Sequence, residues 1–274
     1  MKETSMICNA FRCTTLFRKS GFLALVGLLM VSLSGCVTVT DASKPKVDKR
    51  KLLESNIKLG MAYLNQGHRD NALRSFTKAL ELDKSSAEAH LGMALIHQVN
   101  GEWDMADKRF QKALKSRADF SKSNIQFSYA RFLMDKDDYE EAFKLFEITS
   151  NDLSYGRRVN ALFNLGLCAE KLGKPARAVA AYEHALNINK NFGPAALELA
   201  HKHFDSGRYA ESKKYLDVFA RNSRQSARSL WLGIRIERIF DNQDKEASYA
   251  LALKNLHPYS REFLEYKKLL EADK

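Results

Sequence analysis

The chain of 274 residues is long enough for one or two globular domains, and its composition, 45% hydrophobic and 28% charged, is ordinary for a soluble fold. Only four prolines occur, so long helices are not interrupted. The formal net charge of +11 would be compatible with a nucleic-acid partner, but the basic residues are scattered and interleaved with Asp and Glu. A solvated basic surface suited to an acidic partner or to anionic lipid is therefore favoured over nucleic-acid recognition.

Residues 1–35 are predicted to be a signal peptide. A basic flank at residues 18–19 precedes an apolar core at residues 21–33. The core is too short to span a bilayer comfortably but has the length of a signal-peptide core. The region before the core is long for a basic flank, so Met6 is an alternative start to Met1.

The apolar core ends in Leu33-Ser34-Gly35-Cys36, which resembles the bacterial lipobox. The resemblance implies cleavage before Cys36 and acylation of its thiol. Because Val37 follows, rather than the Asp that often retains lipoproteins in the inner membrane, the resemblance also implies an anchor in the outer membrane, on its periplasmic face. An ordinary cleaved signal with a coincidental cysteine is the alternative. Residues 36–50 are expected to be the lipidated cysteine and a flexible tether.

Processing would remove Cys8 and Cys13, which leaves Cys36 and Cys168 in the mature chain. With Cys36 acylated, no intramolecular disulfide can form, although the periplasm permits disulfides. Cys168 lies among apolar residues of a predicted helix, and we expect it to be a small buried side chain rather than a nucleophile.

One pattern occurs twice between residues 53 and 120 with a period of 34 residues, so that Gly67 aligns with Gly101 and Phe76 with Phe110. This period, with Gly, Ala and aromatic residues at set offsets, resembles the tetratricopeptide repeat, a helix-turn-helix unit. Further copies follow, the third without the usual turn glycine. The predicted copies lie near residues 53–86, 87–120, 123–156, 159–192, 193–226 and 227–258, within a repeat domain of residues 51–274.

Each copy is expected to form two helices that pack through small and aromatic residues. In the first copy, Leu59, Gly60 and Tyr63 come from the first helix and Phe76 from the second. The glycine between them, Gly67, is expected to be left-handed. No pair can bury its apolar face alone, so the pairs must stack. The predicted fold is all-α, a right-handed superhelical solenoid of six tetratricopeptide helix pairs with a C-terminal capping helix.

The repeat pattern ends at Pro258, and a capping segment is predicted at residues 259–272. Ser260 has the residue type and position of a helix N-cap. Phe263, Leu264 and Leu270 are expected to cover the last repeat.

No catalytic or cofactor site is recognisable. His201 and His203 are two residues apart on a predicted helix and so point in different directions, and no group of Cys or carboxylates completes a metal shell. A phosphate-binding glycine loop, a nucleophile elbow and an HExxH motif do not occur in the sequence. We therefore expect no enzyme, no cofactor, no metal ion and no small-molecule substrate.

A partner-binding surface is expected on the concave side of the solenoid, which the first helix of each pair lines. The positions there that are not used between helices are apolar in the first copies, which favours an amphipathic helix or an extended apolar segment over a terminal carboxylate. Local packing without a partner is the alternative. The predicted groove residues are Ile57, Met61, Leu64, Leu91, Leu95, Val99 and Phe127.

The run SLWLGIRIER at residues 229–238 resembles a hallmark of the type IV pilus biogenesis lipoproteins of the PilF/PilW family, as does the region 247–256. With the lipobox, the short tether and the six repeats, the resemblance covers nearly the entire chain. It implies a pilotin, a non-catalytic lipoprotein that escorts secretin subunits to the outer membrane and promotes their assembly into the pore of the type IV pilus. It also implies that the N-terminal repeats carry the secretin-binding groove.

One position departs from the family. Relatives often have a cysteine in the third repeat, able to pair with one in the fourth, whereas this chain has Met134 there. Packing alone would then hold these repeats together. The charged residues Arg235, Glu237 and Arg238 of the hallmark have no assigned role, and an ion pair at the last repeat is the simplest explanation. Two other classes remain open: a tetratricopeptide lipoprotein of the outer-membrane β-barrel assembly machinery, and a periplasmic adaptor for peptidoglycan enzymes.

Overall fold

A computed structural model describes residues 48–116 and 122–272, and the lipobox and most of the predicted tether lie outside these ranges. The described residues form thirteen α-helices and no strand, and none of these helices is long and apolar enough to cross a membrane. The helices are α1 (Lys49–Asn65), α2 (Arg69–Leu82), α3 (Ala87–Val99), α4 (Trp103–Lys115), α5 (Ser123–Asp135), α6 (Tyr139–Asn151), α7 (Arg158–Lys171), α8 (Pro175–Ile188), α9 (Gly193–Asp205), α10 (Tyr209–Asn222), α11 (Ala227–Ile239), α12 (Gln243–Leu256) and α13 (Arg261–Ala272).

Successive helices pack as hairpins, and the hairpins stack in chain order. Each odd-numbered helix from α1 to α11 packs on the even-numbered helix that follows it, and α13 closes the array against α11 and α12. The first helices of neighbouring pairs also touch, as α1 does with α3, α3 with α5, α5 with α7 and α9 with α11. The all-α solenoid of six helix pairs and a last helix, predicted from the repeat period, is confirmed.

An aromatic ring of the second helix lies between the first helices of two successive pairs. The Phe76 ring on α2 is fully buried, and a Cβ added at Gly60 of α1 or Gly92 of α3 would lie only 2.7 or 2.2 Å from it. Tyr182 on α8 makes the same approach to Gly166 on α7, at 2.3 Å. The small residues are therefore required because the ring occupies the space of their missing side chains.

Leu59 does not take the packing role predicted for it, because its side chain is 45% exposed. Its equivalent one repeat later, Met93, is buried in a cluster with Ala72 and Phe76 of the preceding helix α2. Among the described residues no helix pair precedes α1, so Leu59 has no such helix to pack on.

Left-handed residues occur in the turns within all six pairs. Four of them are glycines, as predicted for Gly67, but the third and sixth turns use Asp137 at φ 60° and Asp241 at φ 50°. The third turn therefore keeps the same backbone conformation without its glycine, since aspartate is one of the few side chains that tolerate this region.

The last helix begins and ends where the sequence predicts. The Ser260 hydroxyl accepts a hydrogen bond from the Phe263 amide at 3.1 Å, which confirms the N-cap. Phe263 packs on the last repeat together with Tyr266, whereas Leu264 and Leu270 are exposed and do not cover it. The expectation for these two leucines is wrong because Tyr266, one turn after Phe263, lies on the packed face of α13.

The third and fourth pairs share one apolar core. Cys168 is fully buried there, as predicted, and burial raises the pKa of its thiol to about 12, so a thiolate is strongly disfavoured. Met134, where the family resemblance implies a cysteine, packs against the same core.

The substitution Gly92→Ala tests how closely the Phe76 ring approaches. Alanine has the better helix propensity by about 1 kcal/mol, but the added methyl group would displace a ring that has no free space. We expect a net loss of about 1–2 kcal/mol in the free energy of unfolding, measured by urea denaturation followed by circular dichroism. Gly156→Ala, at an exposed glycine with nothing within 4 Å, is the control. An equally stable Gly92→Ala protein would contradict the packing described here.

Candidate partner-binding surface

The predicted groove positions of the first two pairs lie on neighbouring helices. Ile57, Met61 and Leu64 follow one another at helical spacing along α1, and their repeat equivalents lie on α3, which packs beside α1. Met61 and Leu64 are half-buried and rest on the Phe76 core cluster. The structure therefore places these positions on two helices that pack side by side.

Two predicted groove residues belong to the core instead. Leu91 is 5% exposed and Phe127 is also 5% exposed, and both are members of the central apolar cluster. Phe127 is covered from outside by the Arg157 guanidinium, 4.8 Å above its ring, and by Tyr155 at 6.0 Å between ring centroids. Because their side chains have almost no accessible surface, we assign Leu91 and Phe127 to packing and not to a groove.

A short apolar strip remains at the junction of α1 and α3. Four of its side chains are half-buried and Val99, at the end of α3, is 52% exposed. It lies at the N-terminal end of the described solenoid, on α3 and on α1, which begins at Lys49 within the last residues of the predicted tether. The strip consists of Ile57, Met61, Leu64, Leu95 and Val99.

The same repeat positions are polar and aromatic in the last two pairs. Trp231 and Arg235 on α11 correspond to Ile57 and Met61 on α1, and Phe204 on α9 corresponds to Leu64. The sequence-based groove prediction covered only the first three copies, so it did not include Phe204, Trp231 and Arg235. These residues could have been predicted from the repeat register, since each lies at the same distance before its turn as the groove residues of the first copy.

The charged residues of the SLWLGIRIER run are in three different environments. Glu237 is 3% exposed and accepts a hydrogen bond from the Lys213 ammonium at 2.6 Å, and Arg238 Nε donates to Glu246 at 3.0 Å. These are the ion pairs expected from the sequence. The Arg235 guanidinium instead lies 3.9 Å above the Phe204 ring.

Ion pairs across the concave face join α7, α9 and α11. Arg228 of α11 donates two hydrogen bonds, of 2.5 and 2.8 Å, to the Glu198 carboxylate of α9. The Lys202 ammonium of α9 lies 3.0 Å from a carboxylate oxygen of Glu170 on α7. The Glu198 carboxylate is largely buried while the Arg228 side chain is 47% exposed, and their bidentate contact ties the fifth pair to the sixth.

Two histidines of α9 are held neutral. Burial, with the nearby Arg228 cation as the next cause, lowers the pKa of His201 to about 4, and its Nε2 atom has no hydrogen-bond partner. His203 is 5% exposed and stacks on Tyr215 with 5.1 Å between ring centroids, and burial lowers its pKa as well. Neither imidazole has the hydrogen-bonded partner that would stabilise its charged form.

The assignment of Leu91 to the core and of Val99 to the surface can be tested by introducing a carboxylate at each. We expect Leu91→Glu to lower the free energy of unfolding by about 3–5 kcal/mol, because a buried carboxylate would have no partner. Val99→Glu should change it by less than about 0.5 kcal/mol. Urea denaturation of both variants provides the measurement. A stable Leu91→Glu protein would contradict the assignment of Leu91 to the core.

The neutral His201 predicts that acid destabilises the solenoid. An unfolded imidazole binds its proton near pH 6.5, whereas folded His201 does so only near 4. Stability is therefore fully present above pH 6.5 and falls as the pH is lowered towards 4, by about 2 kcal/mol at pH 5 from this residue alone. His201→Gln should show a smaller loss of stability between pH 7 and pH 5 than the wild type, measured by urea denaturation. His68→Gln, at an exposed turn, controls for the loss of an imidazole, and equal losses in wild type and His201→Gln would contradict the prediction.

Comparisons with known proteins agree with this architecture. Residues 54–86 and 121–191 match models of the tetratricopeptide repeat. The chain is 39% identical over 245 residues to the type IV pilus assembly protein PilF of Pseudomonas aeruginosa, across 89% of this chain and 96% of the relative.

Solved structures of similar proteins have the same arrangement of helices. A structure from the functional characterisation of Pseudomonas aeruginosa PilF is 36% identical, with a TM-score of 0.76 over 80% of this chain and 98% of that one. PilW, a widely conserved type IV pilus biogenesis factor, is 26% identical, with a TM-score of 0.65 over 79% and 98%. The extent of the match to PilF, in sequence and in structure, shows that this chain belongs to the PilF/PilW family of tetratricopeptide-repeat proteins.

Proposed function

We propose that this protein is a pilotin: a non-catalytic lipoprotein of the outer membrane that binds subunits of the pilus secretin and promotes their targeting and multimerisation. The relatives it matches over most of its length are named for type IV pilus assembly and biogenesis. These names support a general role in type IV pilus biogenesis. The secretin as the binding partner is the more specific part of the proposal.

The single observation that carries the proposal is the apolar strip between α1 and α3. Its five side chains are aliphatic or thioether groups, which supply neither a nucleophile nor an acid or base. Three or more of them could be covered at once by the apolar face of an amphipathic helix or by an extended segment. A partner that buries them would gain about 25 cal/mol for each Å² of apolar surface removed from water.

The position of the strip suits delivery to a membrane. The predicted lipid anchor, Cys36, lies twelve residues before Asp48, the first described residue and the N-cap of α1. Each buried methylene of an acyl chain contributes about 0.8 kcal/mol, so several chains would hold the protein stably. An anchored solenoid would then hold the strip within one short tether of the membrane where the secretin subunits assemble.

The test is complementation of a deletion strain, with SDS-resistant secretin multimers in outer-membrane fractions as the readout. We expect the double variant Ile57→Glu/Val99→Glu to reduce these multimers at least tenfold, because two carboxylates would make the strip repel an apolar partner. Neither residue belongs to a core cluster, so the variant should remain folded.

A matched control is available on another helix. Ile148 on α6 is 53% exposed, close to the 52% of Val99, and lies outside the strip. Ile148→Glu should complement fully. Abundant outer-membrane multimers in the deletion strain itself would contradict the pilotin proposal, whatever the variants do.

A further inference from the structure

Arg235 is a half-buried cation held between two aromatic rings on the concave face of the last two helix pairs. Its guanidinium carbon lies 3.9 Å from the centre of the Phe204 ring on α9 and 5.9 Å from that of Trp231 on its own helix. Trp231 is in turn fixed edge-to-face by Tyr266 of the last helix, with 6.4 Å between ring centroids. Stacking on ring faces orients the guanidinium but leaves its N–H donors unused.

The other cations at this part of the face are already neutralised by carboxylates. Arg228 is paired with Glu198, Lys202 with Glu170, and Arg238 with Glu246. Within residues 48–116 and 122–272, Arg235 makes no ion pair and no hydrogen bond through its side chain. It therefore carries a positive charge that no carboxylate of the described residues pairs with directly, although Asp205 and Arg235 both act on the intervening His201.

We propose that Arg235, with Phe204 and Trp231 as its walls, forms a subsite for one Asp or Glu side chain of a protein segment bound in the concave face. A guanidinium matches a carboxylate through two parallel N–H···O bonds. The aromatic walls would contact apolar residues beside that acid. The proposal rests on the proposed function only in taking the concave face as the binding face.

The charges around Arg235 favour one carboxylate over more highly charged anions. Because Arg228 and Lys202 are already paired with Glu198 and Glu170, Arg235 offers a single positive charge to a bound anion, and Asp205 nearby would oppose a second negative charge. A phosphate group carries almost two negative charges, and the single cation Arg235 could balance only one of them. A chain terminus would need further converging donors, and the neighbouring cations are occupied.

The subsite also divides the concave face into two chemically different ends. The apolar strip at α1 and α3 would bind an apolar stretch of the partner, and Arg235 on α11 would bind an acid elsewhere in it. Such a two-point contact would set the direction in which the partner lies along the face, because neither end can take the place of the other.

The experiment selects peptides from a random library displayed within a coat-protein loop, so that no free terminus is presented. The target is the full chain purified in detergent, with Arg235→Gln as the comparison. We expect peptides selected on the wild type to share one Asp or Glu next to aromatic or aliphatic residues. Synthetic copies with blocked ends should bind the wild type at least tenfold more tightly than Arg235→Gln. Replacing the shared acid by its amide should cause the same loss, with no further loss when both changes are combined.

Arg221→Gln, which removes an exposed arginine from α10, is the matched control and should bind like the wild type. If Arg235→Gln lowers the melting temperature, Arg235→Lys decides the question, since it keeps the charge but not the planar fork and should still bind at least threefold more weakly. The subsite would be overturned by selected peptides without a shared acid, by equal binding to Arg235→Gln, or by binding that requires a free C-terminus.

The Ile57→Glu/Val99→Glu variant separates this proposal from the pilotin role. We expect it to bind the selected acidic peptides as the wild type does, even though it should fail to support secretin multimers. Loss of peptide binding in this variant would mean that the strip, and not Arg235, holds the peptides. Failure of the complementation test would leave the peptide result unchanged, so the two proposals can fail independently.

Discussion

The whole solenoid depends on one packing constraint: an aromatic ring from the second helix of a pair must fit against first helices that carry small residues, glycine or alanine, where it arrives. Phe76 between Gly60 and Gly92, and Tyr182 against Gly166, show the same arrangement at two places in the array. Because each ring spans the boundary between successive elements, no pair can complete its core without a neighbour. The exposed Leu59 at the N-terminal end and the packing of α13 at the other end are consequences of this requirement.

Stacking through the helix interfaces leaves the concave positions free to vary in chemistry. At α1 and α3 the accessible ones are apolar, from half-buried at Ile57 to 52% exposed at Val99, while at α9 and α11 they include His201, Phe204, Trp231 and Arg235. The helix pairs are built in the same way at both ends, so the two ends of the face differ in the side chains at these positions. This separation between residues that build the array and residues that face a partner is a general property of repeat proteins.

The proposed escort role would make use of such a face. Binding an apolar segment removes from water the surface that would otherwise associate with other apolar surfaces, and a lipid anchor would hold the complex at its destination. The ion pairs of Arg228 with Glu198 and of Lys213 with Glu237 join helices at the far end of the array, where a buried carboxylate without its cation would be costly. The PilF/PilW relatives share this architecture over nearly their full length.

The amino-acid sequence by itself determined the helix pairs, their register, the left-handed turns and the N-cap at Ser260, because each depends on residue types at fixed spacing along one chain. Only the tertiary structure decided which apolar residues are core and which are surface. Leu91 and Ile57 occupy equivalent repeat positions, yet Leu91 is buried and Ile57 remains half-exposed. Phe127 is buried because it packs on Phe146 in the central cluster, and Arg157, thirty residues further along, lies over its ring. Burial depends on what other segments place beside a residue, and a repeat pattern within one segment does not contain that information.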